Sequence, residues 1–425
     1  MPASTLARHL ENAARRTPAA PALLTTGKAW NYAELWEEAR HRAANLPISL
    51  RPLTQAGDSL ELALSAYACS VAERPFWPVD GARPLPAAAS ALVPPTTALI
   101  ISTSGSEGEP KAVLLSDSNL DAAAAASNAR VPLGPGDVWL DCLPLFHIGG
   151  MSILWRCARA GATVLLHRGF DAGAVVADLA SRGVTHISLV PAMLARLLDL
   201  GVLPPPGLRC VLVGGAALSR PLYERAVAKG WPLFPSYGMT ETAAQVATFD
   251  PAEGPWSEGL AGRPLPGAEI AIGGDGRIRV RGSQVMLGYL NPAGEAGVGL
   301  EDGWFATSDH GAIDGEGRLQ VLGRADDMLV SGGANVHPLA VESCLAACPG
   351  VVDVAVSGLP DPVWGDLVVA LVVGEAEDGR ILEWSRAHLP SAARPRRILR
   401  LERLPRNAMG KLERAKLRAF LEARP

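Results

Sequence analysis

Several things are scarce in this chain of 425 residues. Charge is the first: Asp, Glu, Lys and Arg make up only 19%, against 48% hydrophobic residues. Disordered chains have the opposite balance, so a large folded core is expected. A basic excess is also missing. Lys plus Arg number 39 and Asp plus Glu 43, a formal charge of -4. That argues against nucleic acid as the main partner, which wants a net basic surface. A local phosphate site stays open. Cysteines number six, and none stands in a zinc-like Cys/His spacing. Cys344 and Cys348 lie at i, i+4 on an expected helix, with no second pair nearby. No apolar run reaches about 18 residues, so no membrane span is expected. Residues 1–19 hold Arg8, Glu11, Arg15 and Arg16 and no apolar core of a signal peptide. A cytoplasmic protein with reduced thiols is expected.

What is plentiful is glycine (44) and proline (35), scattered as in a chain with many turns rather than gathered in a linker. No internal repeat or low-complexity tract is present. At roughly 100–200 residues per domain, the length suits two to four domains. From about Thr97, short apolar runs at 98–102, 138–142, 162–166, 186–190 and 210–213 alternate with helix-compatible segments at 121–129, 151–160, 172–181, 192–200 and 220–229. That rhythm predicts parallel sheets layered with helices. Ligands of such sheets sit on the loops after the strands. Beyond Gly259, short strands at 270–272, 277–281 and 318–322 with Gly-rich turns predict a small antiparallel, barrel-like part. An α+β pattern follows Arg324. It has a helix from Pro338, strands at 351–356, 367–373 and 397–401, and helices at 381–388 and from Leu412. The expected fold is α/β: a large domain, residues 1–325, and a small mobile α+β domain, residues 326–425.

Five segments carry chemistry. Thr103-Ser104-Gly105-Ser106-Glu107-Gly108-Glu109-Pro110-Lys111 offers hydroxyls, backbone N–H groups and one amine to phosphate oxygens. It lacks the Walker A spacing, and an ordinary polar turn is the alternative. In Ser236-Tyr237-Gly238-Met239-Thr240-Glu241-Thr242, a tyrosine face suits a nucleobase and a glutamate suits Mg2+. Alone, Thr240 or Thr242 is more often a helix cap after a strand. Asp309 can take both hydroxyls of a ribose or simply serve a turn. Gly323-Arg324-Ala325-Asp326-Asp327 leads into Ser331-Gly332-Gly333-Ala334-Asn335. Pro405-Arg406-Asn407-Ala408-Met409-Gly410-Lys411 places one lysine ahead of the last helix.

In this order, the five segments resemble the adenylate-forming acyl-CoA synthetase superfamily over essentially the whole chain. The resemblance implies two half-reactions, adenylation of a carboxylate by ATP and transfer to coenzyme A, with magnesium. It implies that Thr103, Ser104, Gly105, Ser106, Gly108 and Lys111 form a phosphate loop. Gly214, Gly215 and Ala216 would line the adenine and acyl pocket. Ser236, Tyr237 and Gly238 would lie against the nucleotide, Thr240 near the α-phosphate and Glu241 on Mg2+. Asp309 and Arg324 would hold the ribose, and Asp326 would be the hinge. Lys411 would bridge carboxylate and α-phosphate, and Gly332 and Gly333 would flank the coenzyme A channel. Three positions depart from the family pattern: Glu107 stands for Thr, Ser308 for Gly and Ala334 for Glu. The part before Thr97 also looks shortened.

Leu143-Pro144-Leu145-Phe146-His147-Ile148-Gly149-Gly150, Ile153-Leu154-Trp155-Arg156, the 186–191 segment and Leu212-Val213-Gly214-Gly215-Ala216-Ala217 resemble the 2-succinylbenzoate–CoA ligases of menaquinone biosynthesis. That implies a small carboxylic acid, 2-succinylbenzoate, as partner and His147 as an acyl-site residue. Arg156 would meet a substrate carboxylate or a neighbouring acid. His167, His186 and His388 are expected to be structural. Another aryl or fatty acid, or an idle nucleotide-binding module, are the alternatives, and self-association is left open.

Overall fold

A computed structural model of the chain describes residues 4–47, 49, 51–82, 86, 91–103, 111–291, 293–406 and 412–423. Five strands, Val138–Asp141, Thr163–Leu166, His186–Leu189, Cys210–Val213 and Leu233–Met239, lie parallel to one another in one sheet. Val138–Asp141 apart from its first residue, and the next three strands throughout, are buried, as expected of strands covered on both faces. The helices Ile148–Ala160, Ala172–Ser181, Pro191–Asp199 and Arg220–Ala228 connect them. Their ends follow local chemistry. Asp171 caps Ala172–Ser181 by accepting from Ala174 N at 2.7 Å. Pro191 opens its helix where its missing N–H is harmless. Gly161, at φ +69°, closes Ile148–Ala160.

A second sheet joins Leu53–Ala56, Phe76–Val79, Thr97–Ser102, Ala112–Ser116 and Gly288–Tyr289. Here the expected rhythm fails in one place. Thr97–Ser102 does not cross over to a parallel partner but turns back as an antiparallel hairpin with Ala112–Ser116.

The region after Gly259 is the expected antiparallel part, and it continues the first sheet. Leu233–Met239 pairs antiparallel with Ala244–Thr248, which pairs with Leu260–Pro264. Hydrogen bonding then runs on through Leu319–Arg324, Phe305–Ile313, Arg277–Gly282 and Ala268–Ile272. The result is one path of 13 strands, parallel in its middle and antiparallel at this end.

A third sheet uses only later residues: Leu329–Ser331, Ala334–Val336, Val351–Asp361, Gly365–Gly374 and Arg397–Arg400. The helices Pro338–Ala346, Asp378–His388 and Arg414–Glu422 accompany it. Val341, Leu345, Val356, Val368 and Ile381 form a core of their own there. Each such side chain contributes about 1.5–3 kcal/mol by leaving water. In the earlier part, Trp77 and Trp139 are buried with their indole N–H groups donating to Ser102 Oγ and Ser188 Oγ, both at 3.1 Å.

All six cysteines are free thiols. Among the described residues, no group of three or more His, Cys, Asp or Glu could hold a metal ion, and no helix is long and apolar enough to cross a membrane.

Candidate active site

Part of the expected site lies at the carboxyl ends of the parallel strands, the end at which such sheets take their ligands. Cys210–Val213 ends at Gly214, and its neighbour Leu233–Met239 brings Ser236, Tyr237 and Gly238 alongside. The two strands touch: Ser236 Oγ donates to Val213 O at 3.1 Å. A Cβ on Gly214 would stand 2.7 Å from Ser236 Oγ and would turn that hydroxyl away from Val213 O.

Gly238 is more constrained. A Cβ there would lie 2.0 Å from Ala244 O. The chain reverses tightly beyond it through the single turn Thr240–Thr242, with Ala243 at φ +51°. Thr242 Oγ1 holds the reversal, donating to Met239 O (3.1 Å) or Ala244 O (2.8 Å) and accepting from Met239 N at 3.1 Å. Thr240 and Glu241 ride on this turn, which is a strand-to-strand reversal and not the cap of an α-helix. Met286 N donates to Glu241 O at 2.8 Å. Tyr289 Oη donates to Glu241 Oε1 at 2.8 Å. Burial and the Glu241 charge push the Tyr289 phenol up, so it stays a donor.

The hairpin of the second sheet carries, between Thr103 and Lys111, the segment that the sequence resemblance assigns to phosphate. Thr103 N donates to Lys111 O at 2.8 Å and Thr103 Oγ1 to the same oxygen at 3.2 Å, closing its base. The exposed Lys111 has Nζ 5.3 Å from the Tyr289 ring centroid. Tyr289 therefore stands between the loop base and Glu241. Ser104, Gly105, Ser106 and Gly108 lie outside the described residues, as do Glu107 and Lys411.

Asp309 is not in a turn. It lies within the strand Phe305–Ile313, directly opposite Arg324 of Leu319–Arg324. Tyr237 Oη donates to Asp309 Oδ2 at 2.8 Å. Arg324 Nε is 3.9 Å from Asp309 Oδ1, and Arg324 Nη2 donates to Asp326 Oδ2 at 3.0 Å. A continuous polar chain thus runs Tyr237, Asp309, Arg324, Asp326. Burial, then the Asp309 charge, raise the Tyr237 phenol well above its ordinary range.

His147 stands immediately before Ile148–Ala160, half-buried, with its ring centroid 4.7 Å from that of Phe146. The loop ahead of it packs closely, since a Cβ on Gly150 would lie 2.9 Å from Leu143 O.

Arg156, two and a half turns further on, forms no ion pair with an acid among the described residues and meets no open solvent. It is 3% exposed. Its Nη2 donates to Gln245 Oε1 at 2.8 Å and its guanidinium lies 5.2 Å from the Trp139 ring. Enclosure by apolar walls excludes a surface ion pair and lowers its pKa to about 10. Gln245, opposite Gly238 in register, donates onward to Thr248 Oγ1 at 3.2 Å. His167 meets Asp178 at 2.9 Å, His186 contacts Thr185 and Pro132 O, and His388 Nδ1 contacts Trp384 O. These three histidines therefore hold local structure.

Gly332 and Gly333 form the two-residue turn between Leu329–Ser331 and Ala334–Val336, both at positive φ (+57° and +77°). Two left-handed residues match the twist of a hairpin. Gly332 N donates to Trp364 O at 2.8 Å, and a Cβ on Gly332 would lie 3.0 Å from the Trp364 ring. Tyr289 and Trp364 escape sequence reasoning because each meets the site only through long-range strand pairing.

The model of the AMP-binding enzyme family matches residues 53–290, and that of the AMP-binding enzyme C-terminal domain matches residues 340–411. The chain belongs to the AMP-binding enzyme family. Within this family it is 39% identical over 336 residues to a 2-succinylbenzoate–CoA ligase of Bacillus cereus (strain ATCC 10987 / NRS 248), covering 76% of this chain and 70% of the relative. Among solved structures it matches o-succinylbenzoate CoA synthetase from Bacillus subtilis in complex with ATP and magnesium ion. That match has a TM-score of 0.85 and 30% identity, and covers 96% of this chain and 99% of the other. A double mutant of the same enzyme bound with its product analogue gives a TM-score of 0.69 at 31% identity, covering 97% and 98%.

The donor set around Glu241 fits magnesium. Mg2+ takes one or two carboxylates and fills its octahedron with water and substrate phosphate oxygens. A single glutamate, with Tyr289 Oη donating to it, meets that need without a cluster of acids.

Proposed function

We propose that this AMP-binding enzyme is an AMP-forming acid–thiol ligase that converts 2-succinylbenzoate, ATP and coenzyme A to 2-succinylbenzoyl-CoA, AMP and pyrophosphate, within menaquinone biosynthesis in the cytoplasm. The observation that carries the substrate is the 39% identity to a 2-succinylbenzoate–CoA ligase over 76% of the chain. The geometry of Tyr237, Asp309, Arg324 and Glu241 supports the nucleotide half.

In the first step, a carboxylate oxygen of the acid forms a bond to the α-phosphorus, and the bond from that phosphorus to the bridging oxygen breaks. Pyrophosphate leaves with that electron pair. In the second, the thiolate of coenzyme A attacks the acyl carbon and AMP departs. The thiol proton leaves to solvent. The work of the protein is to position the reactants and neutralise charge. Asp309, held by Tyr237, accepts from the ribose hydroxyls, and Tyr237 lies against adenine. Thr103 and Lys111, with the loop between them, hold the β- and γ-phosphates. Thr240 donates to the α-phosphate, and Glu241 holds Mg2+. The ion supplies charge neutralisation on the phosphate oxygens. His147 borders the acyl pocket with Gly214, Gly215 and Ala216. Lys411 bridges the acid and the α-phosphate. The small domain, from Asp326 onward, pivots between the steps. Gly332 and Gly333 then flank the thiol channel.

AMP release is to be measured with coenzyme A and 2-succinylbenzoate, beside benzoate and a medium-chain fatty acid. Turnover is expected with 2-succinylbenzoate and a kcat/KM at least 100-fold lower with the others. Equal or better turnover of either comparison acid would refute the substrate. An absence of ATP-dependent AMP release with every acid would refute the ligase reading as a whole.

A further inference from the structure

The hinge segment has a feature that the family motifs do not explain. Its two aspartates are gripped from opposite sides. The Asp326 carboxylate accepts from Arg324 Nη2 at 3.0 Å, on the large-domain strand Leu319–Arg324. The Asp326 carbonyl accepts from Arg418 Nη2 at 3.0 Å, on the C-terminal helix Arg414–Glu422. The next residue belongs wholly to that helix. Asp327 Oδ2 is 2.8 Å from Arg414 Nε, and Asp327 Oδ1 is 3.1 Å from Arg418 Nη2. The change of partners takes place within one residue.

Arg414 is the centre of this grip. Beyond Asp327, its two terminal nitrogens each lie 3.0 Å from an oxygen of Glu342, on the helix Pro338–Ala346. Its Nη1 also donates to Val356 O at 3.0 Å, in the central strand pair of the small domain. Glu342 is 8% exposed and accepts from Val356 N at 2.8 Å as well. A forked guanidinium between two carboxylates and a carbonyl has one geometry, and its largely buried setting makes that geometry stiff. Removing one member leaves the opposite charge enclosed without a partner.

We propose that Arg414 is a positioning residue. With Asp327, Glu342 and Arg418 it ties the segment after Asp326, the helix Pro338–Ala346, the strand Val351–Asp361 and the helix Arg414–Glu422 into one rigid body, so that rotation is confined to Asp326. This rests on the function proposed above, in which the small domain pivots between the two half-reactions. Without the clamp, the bend would spread along Asp327, Met328 and Leu329, and the small domain would arrive displaced. Misplacement by about 1 Å is enough to slow such a step 100-fold. The present arrangement has cross-domain contacts of its own. Ser343 Oγ donates to Glu258, and the rings of His310 and His337 meet edge-on at 5.3 Å. It also superposes on the ATP and magnesium complex of the Bacillus subtilis enzyme with a TM-score of 0.85. Adenylation therefore leans on the clamp less than thioester formation, which needs the small domain elsewhere.

The test uses the full chain with Arg414→Met, Arg414→Lys, Asp327→Asn and Arg418→Met. Two rates are measured: pyrophosphate exchange into ATP driven by 2-succinylbenzoate, and thioester formation from supplied 2-succinylbenzoyl-AMP. For Arg414→Met and Asp327→Asn, thioester formation is expected to fall at least tenfold more than exchange, with KM for ATP within twofold. Arg414→Lys, which keeps the charge but not the fork, should recover part of that ratio. Equal losses in both steps, or an unchanged ratio, would overturn the proposal. Should Arg414→Met fail to fold, Arg418→Met decides, because that side chain is 50% exposed and its loss leaves the core intact. If the unsubstituted chain shows no exchange, the substrate assignment fails and the clamp is judged by amide hydrogen exchange instead. Residues 327–329 should then exchange at least tenfold faster in Asp327→Asn and Arg418→Met, while Leu319–Arg324 is unchanged. No difference there would equally overturn it.

Discussion

The Tyr237 hydroxyl donates a 2.8 Å hydrogen bond to Asp309 Oδ2 and so joins the last parallel strand to an antiparallel strand 72 residues further along the chain. The bond fixes the carboxylate proposed to receive the ribose. A hydrogen bond to a charged group contributes about 1.5–3 kcal/mol. Tyr237→Phe is expected to raise KM for ATP roughly tenfold, at 1.4 kcal/mol per decade, and to leave kcat within about threefold. Because burial and Asp309 hold the phenol protonated, the difference between wild type and variant should be flat up to about pH 10. Steady-state kinetics across pH would check both statements.

Glu241 and Tyr289 form the second pair, and they make a different prediction. Glu241→Gln removes the charge proposed to hold magnesium, so kcat/KM should fall at least 100-fold and excess Mg2+ should not restore it. Tyr289→Phe keeps the carboxylate and loses only the donor that orients it. One hydrogen bond of about 1 kcal/mol predicts a roughly fivefold rise in the Mg2+ concentration for half-maximal rate. Titration of Mg2+ at fixed ATP separates the two effects.

How far these partners were visible in the sequence depends on how local their signals are. The strand at 210–213, Cys-Val-Leu-Val, announces itself as a short apolar run because both faces are covered, whereas 186–189 buries a His and a Ser among its apolar residues. Gly238 sits inside a motif, and its steric reason emerges only once Ala244 O is placed beside it. Asp309 reads as a turn residue because Ser308 and Gly311 flank it. In the fold, Gly311 is a strand glycine packed where a Cβ would lie 2.6 Å from Ile278. Tyr289 belongs to no motif and reaches Glu241 only because Gly288–Tyr289 pairs with Ala112–Ser116, more than 170 residues earlier. Arg156 shows the same limit: its partner Gln245 is 89 residues away. Periodicity records which face of an element is covered and says nothing of which distant side chain covers it.

The lysine of the last motif gives the sharpest division between the half-reactions. Lys411→Ala should abolish acyl-AMP formation while leaving thioester formation from supplied acyl-AMP largely intact, because an amine bridging carboxylate and α-phosphate has no partner in the second step. Asp326→Pro should change the ratio of the two rates by restricting φ at the pivot. Rapid-quench measurement of each step is the check. Proportional losses in both steps for Lys411→Ala would remove the amine from adenylation.

His186 allows a prediction about stability alone. Its ring is 1% exposed, stacked on Trp139 with centroids 5.1 Å apart. The ring nitrogens are within 2.8 Å of Thr185 Oγ1 and 3.1 Å of Pro132 O. In the neutral tautomer with its proton on Nε2, Nε2 donates to the carbonyl, and Nδ1 shares the single proton of the Thr185 hydroxyl with Val138 O. Burial is the main cause that lowers the pKa to about 4 from an ordinary 6.5. Above pH 6.5 the group is neutral folded and unfolded, and costs nothing. Between pH 6.5 and 4 the unfolded chain takes up the proton and the folded chain does not, so stability falls as pH falls. Below about pH 4 both forms carry it and the loss levels off. The full difference amounts to about 3 kcal/mol. His186→Gln removes the titration and keeps an amide donor for Pro132 O. Thermal melting should then show a shallower decline from pH 6.5 to 4 than in the wild type. The variant should be slightly less stable at pH 8, where only the ring stacking is lost. Parallel curves for the two proteins across that window would mean that His186 does not resist protonation in the folded chain.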